Sequence, residues 1–297
     1  MAGRNAVLMD APPPMENVGP FLTIARLLHG QGFSVPEVMA ADREHGLLLL
    51  EDLGDDTYTR LLQRGHDERA LYELATDALI ELRRRIPAEA VAALPGFDIA
   101  RNLREVSLLL DWYWPAIKGA AAPDAARAEF EAAWRQVLPR MWDAGTTITL
   151  YDFHVDNLLL LPGREGFQAC GLLDFQDAIA GPVPFDLASL LEDVRRNVSK
   201  PLARDMIDRY LAGNPDLDRG AFLSAYAASA AQRNCRIVGT FARLLRRDGK
   251  PWYQRFMPRV WELLEQDIAH PAMAPVAAWF AQHVPADDRR PLIDPSK

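Results

Sequence analysis

Apolar and polar positions in the first fifty residues predict a small β-rich unit that contains one helix. Residues 4–9 have the composition of a short β-strand, and the prolines at 12–14 end it because they support neither a helix nor a sheet ladder. Helical spacing follows in the apolar residues Phe21, Ile24, Leu27 and Leu28. Residues 35–39 and 46–51 then predict two further strands, joined by the polar turn 42–45.

An acidic segment with one glycine, residues 51–56, separates this unit from the rest of the chain. An acidic, glycine-containing segment that precedes a helical stretch predicts a hinge. We therefore predict a small lobe over residues 1–52 and a large lobe over residues 53–297, with a cleft between them. Clefts at domain boundaries are common ligand sites.

The large lobe is predicted to be mainly helical, with a strand-rich insert near its middle. Helical periodicity covers residues 57–86, 100–117 and 124–143, and resumes after Phe185. Strand patterns occupy residues 146–151, 157–161 and 168–173. Together these patterns predict an α+β protein of two lobes, a small β-rich one and a large helical one.

Charge and cysteine content exclude several classes of function. The chain of 297 residues has a formal net charge of −8, which argues against a general nucleic-acid binder because binding phosphates requires a basic face. Its apolar runs are far shorter than the roughly 20 residues of a membrane helix. Cys170 and Cys235 are the only cysteines, which suits a reducing compartment. We expect a soluble cytoplasmic protein.

Three oxygen-bearing side chains in the insert have the spacing that phosphoryl transfer requires. Asp152 is followed five residues later by Asn157, and Asp174 comes directly after the next pair of strands. The reaction needs a base for the attacking hydroxyl and oxygen ligands for magnesium on the phosphates. The first pair alone is equally consistent with an Asx-rich turn. The second carboxylate, placed after an apolar strand, favours catalysis.

Four further residues allow two interpretations each. Asp186 stands at the start of a predicted helix, where a cap is expected more than catalysis. His154 is expected either to contact the acceptor or position Asp152, or to be a structural histidine with satisfied hydrogen bonds. For Asp177, a position facing the acceptor and a place in a solvated turn are expected equally. Trp112 lies in an aromatic cluster, for which a core role is expected more than stacking on a sugar.

At these residues the chain resembles the aminoglycoside phosphotransferase and choline kinase superfamily, whose members share a two-lobed kinase-like fold. The catalytic loop of that family reads H-x-D-x-x-x-x-N, and its second motif is I-D followed by G-x-x-x-x-D-L-A. The matching residues are Asp152, Asn157, Asp174, Gly181 and Asp186. Leu150 stands where the family usually has histidine, which puts the internal bracing of the loop in question.

The resemblance implies a role for each matching residue and for the cofactors. ATP is expected to bind with Mg²⁺ held by Asn157 and Asp174, while Asp152 acts as the base and Asp186 braces the loop. The segment implied to present backbone groups to the adenine consists of Glu51, Asp52 and Leu53.

A narrower resemblance concerns the acceptor. Residues 7–13, 173–178, 241–244 and 247–251 are similar to bacterial N-acetylmuramate/N-acetylglucosamine anomeric kinases. That similarity implies phosphorylation of an amino sugar at its anomeric hydroxyl during cell-wall recycling. An anomeric hydroxyl is more acidic than an ordinary alcohol, so orienting it matters more than strong basicity.

Two departures from the family keep other functions open. No lysine precedes Lys118, so the lysine that contacts phosphates in most kinases is absent from the small lobe. The strands that carry a Gly-rich loop are also absent before residue 4, and we expect an N-terminally truncated lobe. A catalytically silent, kinase-shaped binding module therefore remains an alternative. Another is a kinase for an aminoglycoside or choline, whose cationic acceptor would suit the acids Asp55, Asp56, Asp111 and Asp177.

Overall fold

The computed structural model describes residues 5–293, and its first unit is a three-stranded antiparallel sheet with one helix. The strands are β1 (Ala6–Asp10), β2 (Val38–Asp42) and β3 (Leu47–Glu51), in the order β1-β3-β2. Helix α1 (Val18–Gly30) begins at Asn17, whose side chain accepts a hydrogen bond from the Gly19 amide. The three predicted strands and the helix are confirmed.

The second strand begins later than predicted. The expected span of 35–39 is wrong by three residues, because Pro36 has no amide hydrogen to give to a ladder. Ser34 instead accepts a hydrogen bond from the Leu172 amide at 2.8 Å, far along the chain. The turn before β3 is held by the Asp42 carboxylate, which accepts from the amides of Glu44 and His45 at 3.1 Å each.

The helices lie almost entirely after residue 57. They are α2 (Tyr58–Gln63), α3 (Glu68–Arg85), α4 (Ala88–Ala92), α5 (Ile99–Leu108), α6 (Trp114–Lys118), α7 (Asp124–Val137), α8 (Phe185–Leu191), α9 (Lys200–Gly213), α10 (Arg219–Arg246), α11 (Met257–Ile268) and α12 (Ala274–His283). The stretch 57–86 is two helices, because Gly65 adopts a φ of 84° and Asp67 caps a new helix. A π-helical turn, Leu109–Tyr113, joins α5 to α6.

Two small sheets surround the predicted chemical residues. Strands β5 (Leu158–Leu160) and β6 (Cys170–Leu172) form an antiparallel hairpin, and β4 (Thr146–Thr149) pairs with β7 (Ile179–Pro182). Strand β7 was not predicted, because glycine and proline weaken a strand pattern. Gly181 is needed there, since a Cβ atom would lie 2.5 Å from the Thr149 hydroxyl. Asp152 therefore follows β4 and Asp174 follows β6.

The hydrophobic core consists of two clusters that together cover both predicted lobes. One cluster includes Leu48 and Leu50 of β3 together with Tyr58 and Leu61 of α2. Packing is thus continuous across residue 52, and the boundary between 52 and 53 stays a prediction. The second cluster joins the α5–α7 region to the helices α10 to α12. The predicted α+β class is confirmed. Within residues 5–293, no helix has the length and apolarity needed to span a bilayer.

Candidate active site

The backbone before Asp152 is strained and firmly held. Tyr151 adopts a left-handed φ of 76°, which bulky side chains seldom do. Its amide donates to the Asp186 carboxylate at 3.0 Å, and the amide of Leu150 donates to the other oxygen at 2.6 Å. These two hydrogen bonds fix the direction in which the chain leaves β4.

Asp186 does not cap its helix, so the expectation of a cap was wrong. Helix α8 has Pro184 in the capping position and no side-chain cap. The side chain of Asp186 is buried, and burial raises its pKa to about 7 against the stabilising effect of the two backbone donors. The carboxylate points at the loop because that loop offers two otherwise unpaired amides.

Asn157 joins the two predicted carboxylate segments. Its Nδ2 donates to the Asp152 carbonyl oxygen at 2.9 Å and to Asp174 Oδ2 at 3.3 Å. The Leu173 amide donates to the Asn157 carbonyl oxygen at 2.9 Å, which holds the β5 and β6 ends together. Asp174 is exposed, has a φ of 56°, and receives a second hydrogen bond from Gln176 Nε2 at 2.5 Å. The sequence did not indicate Gln176.

The donor set at this point fits magnesium better than zinc. Among residues 5–293, no group of three or more His, Cys, Asp or Glu side chains is placed to hold a metal ion. Because Asn157 uses its amide nitrogen toward Asp152 and Asp174, its Oδ1 has no hydrogen bond within the described part of the chain. One amide oxygen and one carboxylate leave room for the phosphates and water that magnesium prefers.

His154 is nearly buried within the loop. Its Nδ1 accepts a hydrogen bond from the Asp156 amide at 3.3 Å, and its Nε2 lies 3.4 Å from Asn157 Nδ2. Burial lowers the pKa of the ring, and the nearby Arg195 lowers it further. The ring is therefore neutral near pH 7, and because Nδ1 accepts from the Asp156 amide, its proton lies on Nε2. The approach of Nε2 to Asn157 Nδ2 is then a packing contact between two donors and not a hydrogen bond. A contact between His154 and an acceptor stays a prediction.

The remaining predicted residues lie near the loop or on the small sheet. Asp177 is exposed in the turn after Asp174, and Trp112 is half-buried on the π-helical turn against the second core cluster. The Glu51 amide already donates to the Glu37 carbonyl at 2.8 Å. Asp52 accepts from the Gly54 amide at 2.8 Å. For Asp177, Trp112 and the adenine segment that ends at Leu53, the binding roles stay predictions.

A group of charged residues beside the loop was missed by the sequence analysis. The Tyr151 hydroxyl donates to Glu105 Oε1 at 3.0 Å and accepts from Arg236 Nη1 at 2.5 Å. Arg101 Nε donates to the same glutamate at 3.0 Å. The signal that was available is the run Gln232–Asn234, three polar residues within an alanine-rich stretch of α10, all of them buried.

The sequence is similar to a family of phosphotransferases over most of its length. Residues 2–223 match the model of the phosphotransferase enzyme family. A protein named N-acetylmuramate/N-acetylglucosamine kinase from Caulobacter vibrioides is 41% identical over 280 residues, which cover 92% of this chain and 77% of that protein. A protein of the same name from Neisseria meningitidis is 31% identical over 289 residues, covering 95% and 84%.

Solved structures of more distant kinases have the same fold. An ethanolamine kinase of Plasmodium vivax superimposes with a TM-score of 0.60 at 10% identity, over 89% of this chain and 75% of that one. The GDP complex of aminoglycoside 2'-phosphotransferase-IIIa superimposes with a TM-score of 0.58 at 14% sequence identity. The match covers 90% of this chain and 94% of that one. These likenesses establish the two-lobed kinase-like fold that the motifs predict.

Proposed function

The chain belongs to the phosphotransferase enzyme family, and on that premise we propose that it transfers the γ-phosphoryl group of ATP to the anomeric hydroxyl of N-acetylmuramate and N-acetylglucosamine. The naming of its relatives, which are 31–41% identical over at least nine-tenths of this chain, supports the acceptor class. ATP as donor and two buried free cysteines suit a cytoplasmic enzyme.

A separate role is proposed for each of the loop residues and for Asp186. Asn157 and Asp174 would hold Mg²⁺, which supplies charge neutralisation on the phosphates when bound. Asp152 orients the acceptor hydroxyl and accepts its proton. Asp186 positions the loop through the backbone and does not touch the reacting groups. Most of the rate enhancement then comes from positioning, which well-oriented groups supply in large measure.

The nucleotide is proposed to bind beneath the small sheet, with its adenine against Glu51, Asp52 and Leu53. Phe21 of α1 stacks on Phe175 at a centroid distance of 4.9 Å. Since Phe175 follows Asp174, this contact couples the small unit to the proposed metal ligand. Mg-ATP bound there would lie between the two parts of the chain.

A cationic acceptor is disfavoured by the pairing of the acids that would attract it. Each of three candidate acids forms an ion pair with an arginine: Asp55–Arg60 at 2.9 Å, Asp56–Arg64 at 2.8 Å and Asp111–Arg127 at 2.7 Å. An acid already neutralised by arginine attracts a cation weakly. The arginines beside Tyr151 would also repel an aminoglycoside or choline.

The observation that carries the proposal is the bridge that Asn157 makes between the Asp152 carbonyl and the Asp174 carboxylate. It supports an active enzyme over a silent module, because it joins the residue proposed as the base and the two residues proposed as metal ligands in one hydrogen-bonded group. The test is phosphate transfer from Mg-ATP to four acceptors, the two amino sugars, kanamycin and choline, followed by ³¹P NMR. The expected product is a sugar 1-phosphate, and the methyl glycoside of N-acetylglucosamine, which lacks a free anomeric hydroxyl, is expected to stay unmodified. Transfer to kanamycin or choline without transfer to an amino sugar would contradict the proposal.

A further inference from the structure

Two arginines and one glutamate surround the side chain of Tyr151. The guanidinium carbons of Arg101 and Arg236 lie 5.1 Å and 4.7 Å from the centre of its ring. Glu105 accepts hydrogen bonds from Arg101, from the Tyr151 hydroxyl and from Gln232. We call Arg101, Glu105, Tyr151 and Arg236 the arginine cluster.

The guanidinium group of Arg236 has more N–H donors than hydrogen-bond partners. One Nη1 hydrogen goes to the Tyr151 hydroxyl. Nε is buried 4.0 Å from the nearest Glu105 oxygen and has no hydrogen-bond partner in the described part of the chain. Nη2 donates no hydrogen bond to any residue within 5–293. The side chain of Arg236 is only 19% exposed. A half-buried guanidinium with unpaired donors is costly unless a ligand completes it.

The charges of the arginine cluster do not cancel. Its two guanidiniums exceed its single carboxylate by one positive charge, in a chain whose formal net charge is −8. Glu105 is already engaged by three donors, so it has little capacity left to neutralise Arg236. The missing partner is therefore an anion with oxygen acceptors.

The arginine cluster lies next to the proposed catalytic base. Tyr151 is the residue before Asp152, and its ring stacks on Phe185 of α8 with centroids 5.6 Å apart. Helices α5 and α10, which carry the two arginines, cross closely at Gly239, where a Cβ atom would lie 2.3 Å from the Leu108 carbonyl carbon. The donors are thus held in place by packed helices rather than by a loop.

We propose that Arg236, supported by Arg101, binds a carboxylate of the acceptor and thereby favours N-acetylmuramate over N-acetylglucosamine. This inference rests on the proposed function. The two sugars share the anomeric hydroxyl and the acetamido group, and differ in the lactyl ether of N-acetylmuramate, which carries one carboxylate. A planar guanidinium recognises a carboxylate through paired hydrogen bonds.

The test compares the kcat/KM ratio of the two sugars in matched variants. In Arg236→Gln we expect the preference for N-acetylmuramate to fall by about 10- to 100-fold, the size of a lost charge-assisted hydrogen bond, mainly through the KM of that sugar. Arg219→Gln removes the same charge from the exposed start of α10, where Arg219 pairs with Asp208 at 2.7 Å, and is expected to keep the wild-type ratio. Arg236→Lys is expected to recover part of the preference.

A second measurement uses the unaltered protein, so it does not depend on a variant that folds. The methyl ester of N-acetylmuramate removes the acceptor's charge, and the wild-type enzyme is expected to use it with a kcat/KM about 10- to 100-fold below that of the free acid.

If Arg236→Gln lowers kcat/KM equally for both sugars, the inference is overturned. That result would indicate that Arg236 acts on the transferring phosphoryl group. An ester used as well as the acid would also overturn it. Both of these results leave the proposed function standing, whereas absence of transfer to either sugar by the wild-type enzyme overturns the proposed function and this inference with it.

Discussion

Asp186 and Leu150 are joined by a hydrogen bond of 2.6 Å that ties the first turn of α8 to the backbone two residues before Asp152. The other oxygen of Asp186 holds the Tyr151 amide at 3.0 Å. Leu150 stands where the motif that the chain resembles has histidine. In this chain the leucine side chain is buried and the bracing runs through the backbone amides instead. The direction of the loop that contains Asp152 therefore depends on Asp186.

Replacing Asp186 by asparagine is expected to destabilise the protein and to lower kcat. One of the two acceptor oxygens becomes an NH₂ group that faces a backbone donor, so the free energy of unfolding should fall by about 1–3 kcal/mol. Urea denaturation measures this fall, and kcat should fall with it because the loop loses its direction. The matched control is Glu131→Gln on the exposed face of α7, which should change stability by less than about 0.5 kcal/mol. Wild-type stability in Asp186→Asn would contradict the bracing role.

The same residue is expected to make stability depend on pH. Burial raises the pKa of Asp186 from 3.8 to about 7, so between pH 4 and 7 the folded protein keeps a proton that the unfolded chain has lost. The free energy of unfolding should therefore fall as pH rises through this window, by at most about 1.4 kcal/mol per pH unit for one group. Burial also raises the pKa of Glu192 and Asp267, which act in the same direction.

Comparing wild type with Asp186→Asn isolates the contribution of this carboxyl to the pH dependence. Asparagine does not titrate, so its destabilising effect should be largest near pH 4 and smallest above pH 7. Urea denaturation at half-unit steps of pH measures both proteins. A difference that stays constant between pH 5 and 7 would mean that Asp186 is ionised in the folded state throughout this window.

A side chain at position 239 is expected to destabilise the protein. An alanine Cβ would lie 2.3 Å from the Leu108 carbonyl carbon and 2.4 Å from the Leu109 amide nitrogen, so α5 and α10 would have to move apart. We expect Gly239→Ala to lower the free energy of unfolding by about 1–3 kcal/mol. The control is Gly30→Ala at the end of α1, where an added Cβ would meet no atom of residues 5–293 within 4 Å apart from its own helix backbone and chain neighbours. Alanine there should stabilise by up to about 1 kcal/mol. Equal thermal stability of the two variants would contradict the close crossing.

Sequence motifs predicted those residues of the candidate site that lie close together along the chain. Asp152 and Asn157 lie in one loop, and Asp174 follows a short hairpin, so spacing alone was enough to place them together. Local pattern misread Asp186 as a cap because its partners are 35 and 36 residues away. The bracing of the loop by Asp186 was implied by the family resemblance alone. The strand containing Gly181 was missed for a related reason, since its pairing with β4 overrides weak strand propensity.

The arginine cluster required the tertiary structure. Arg101 and Arg236 lie 135 positions apart and meet only because α5 and α10 cross at Gly239. From sequence alone, an arginine on a helix is more often a solvated surface residue than part of a site. The buried polar run of α10 was the one available signal, and it indicates burial without indicating a ligand.

The most direct test asks whether the proposed base and the proposed metal ligand have separate roles. Isothermal titration calorimetry measures the affinity for Mg-ATP of the wild type, Asp152→Asn and Asp174→Ala, and a kinase assay measures their turnover of N-acetylglucosamine. We predict that Asp174→Ala weakens nucleotide binding by at least about tenfold, because a ligand of the magnesium is lost. Asp152→Asn should bind Mg-ATP within about twofold of wild type while kcat falls by about 10²- to 10⁴-fold. Undiminished turnover in Asp152→Asn, or unchanged Mg-ATP affinity in Asp174→Ala, would contradict the assignment of these roles.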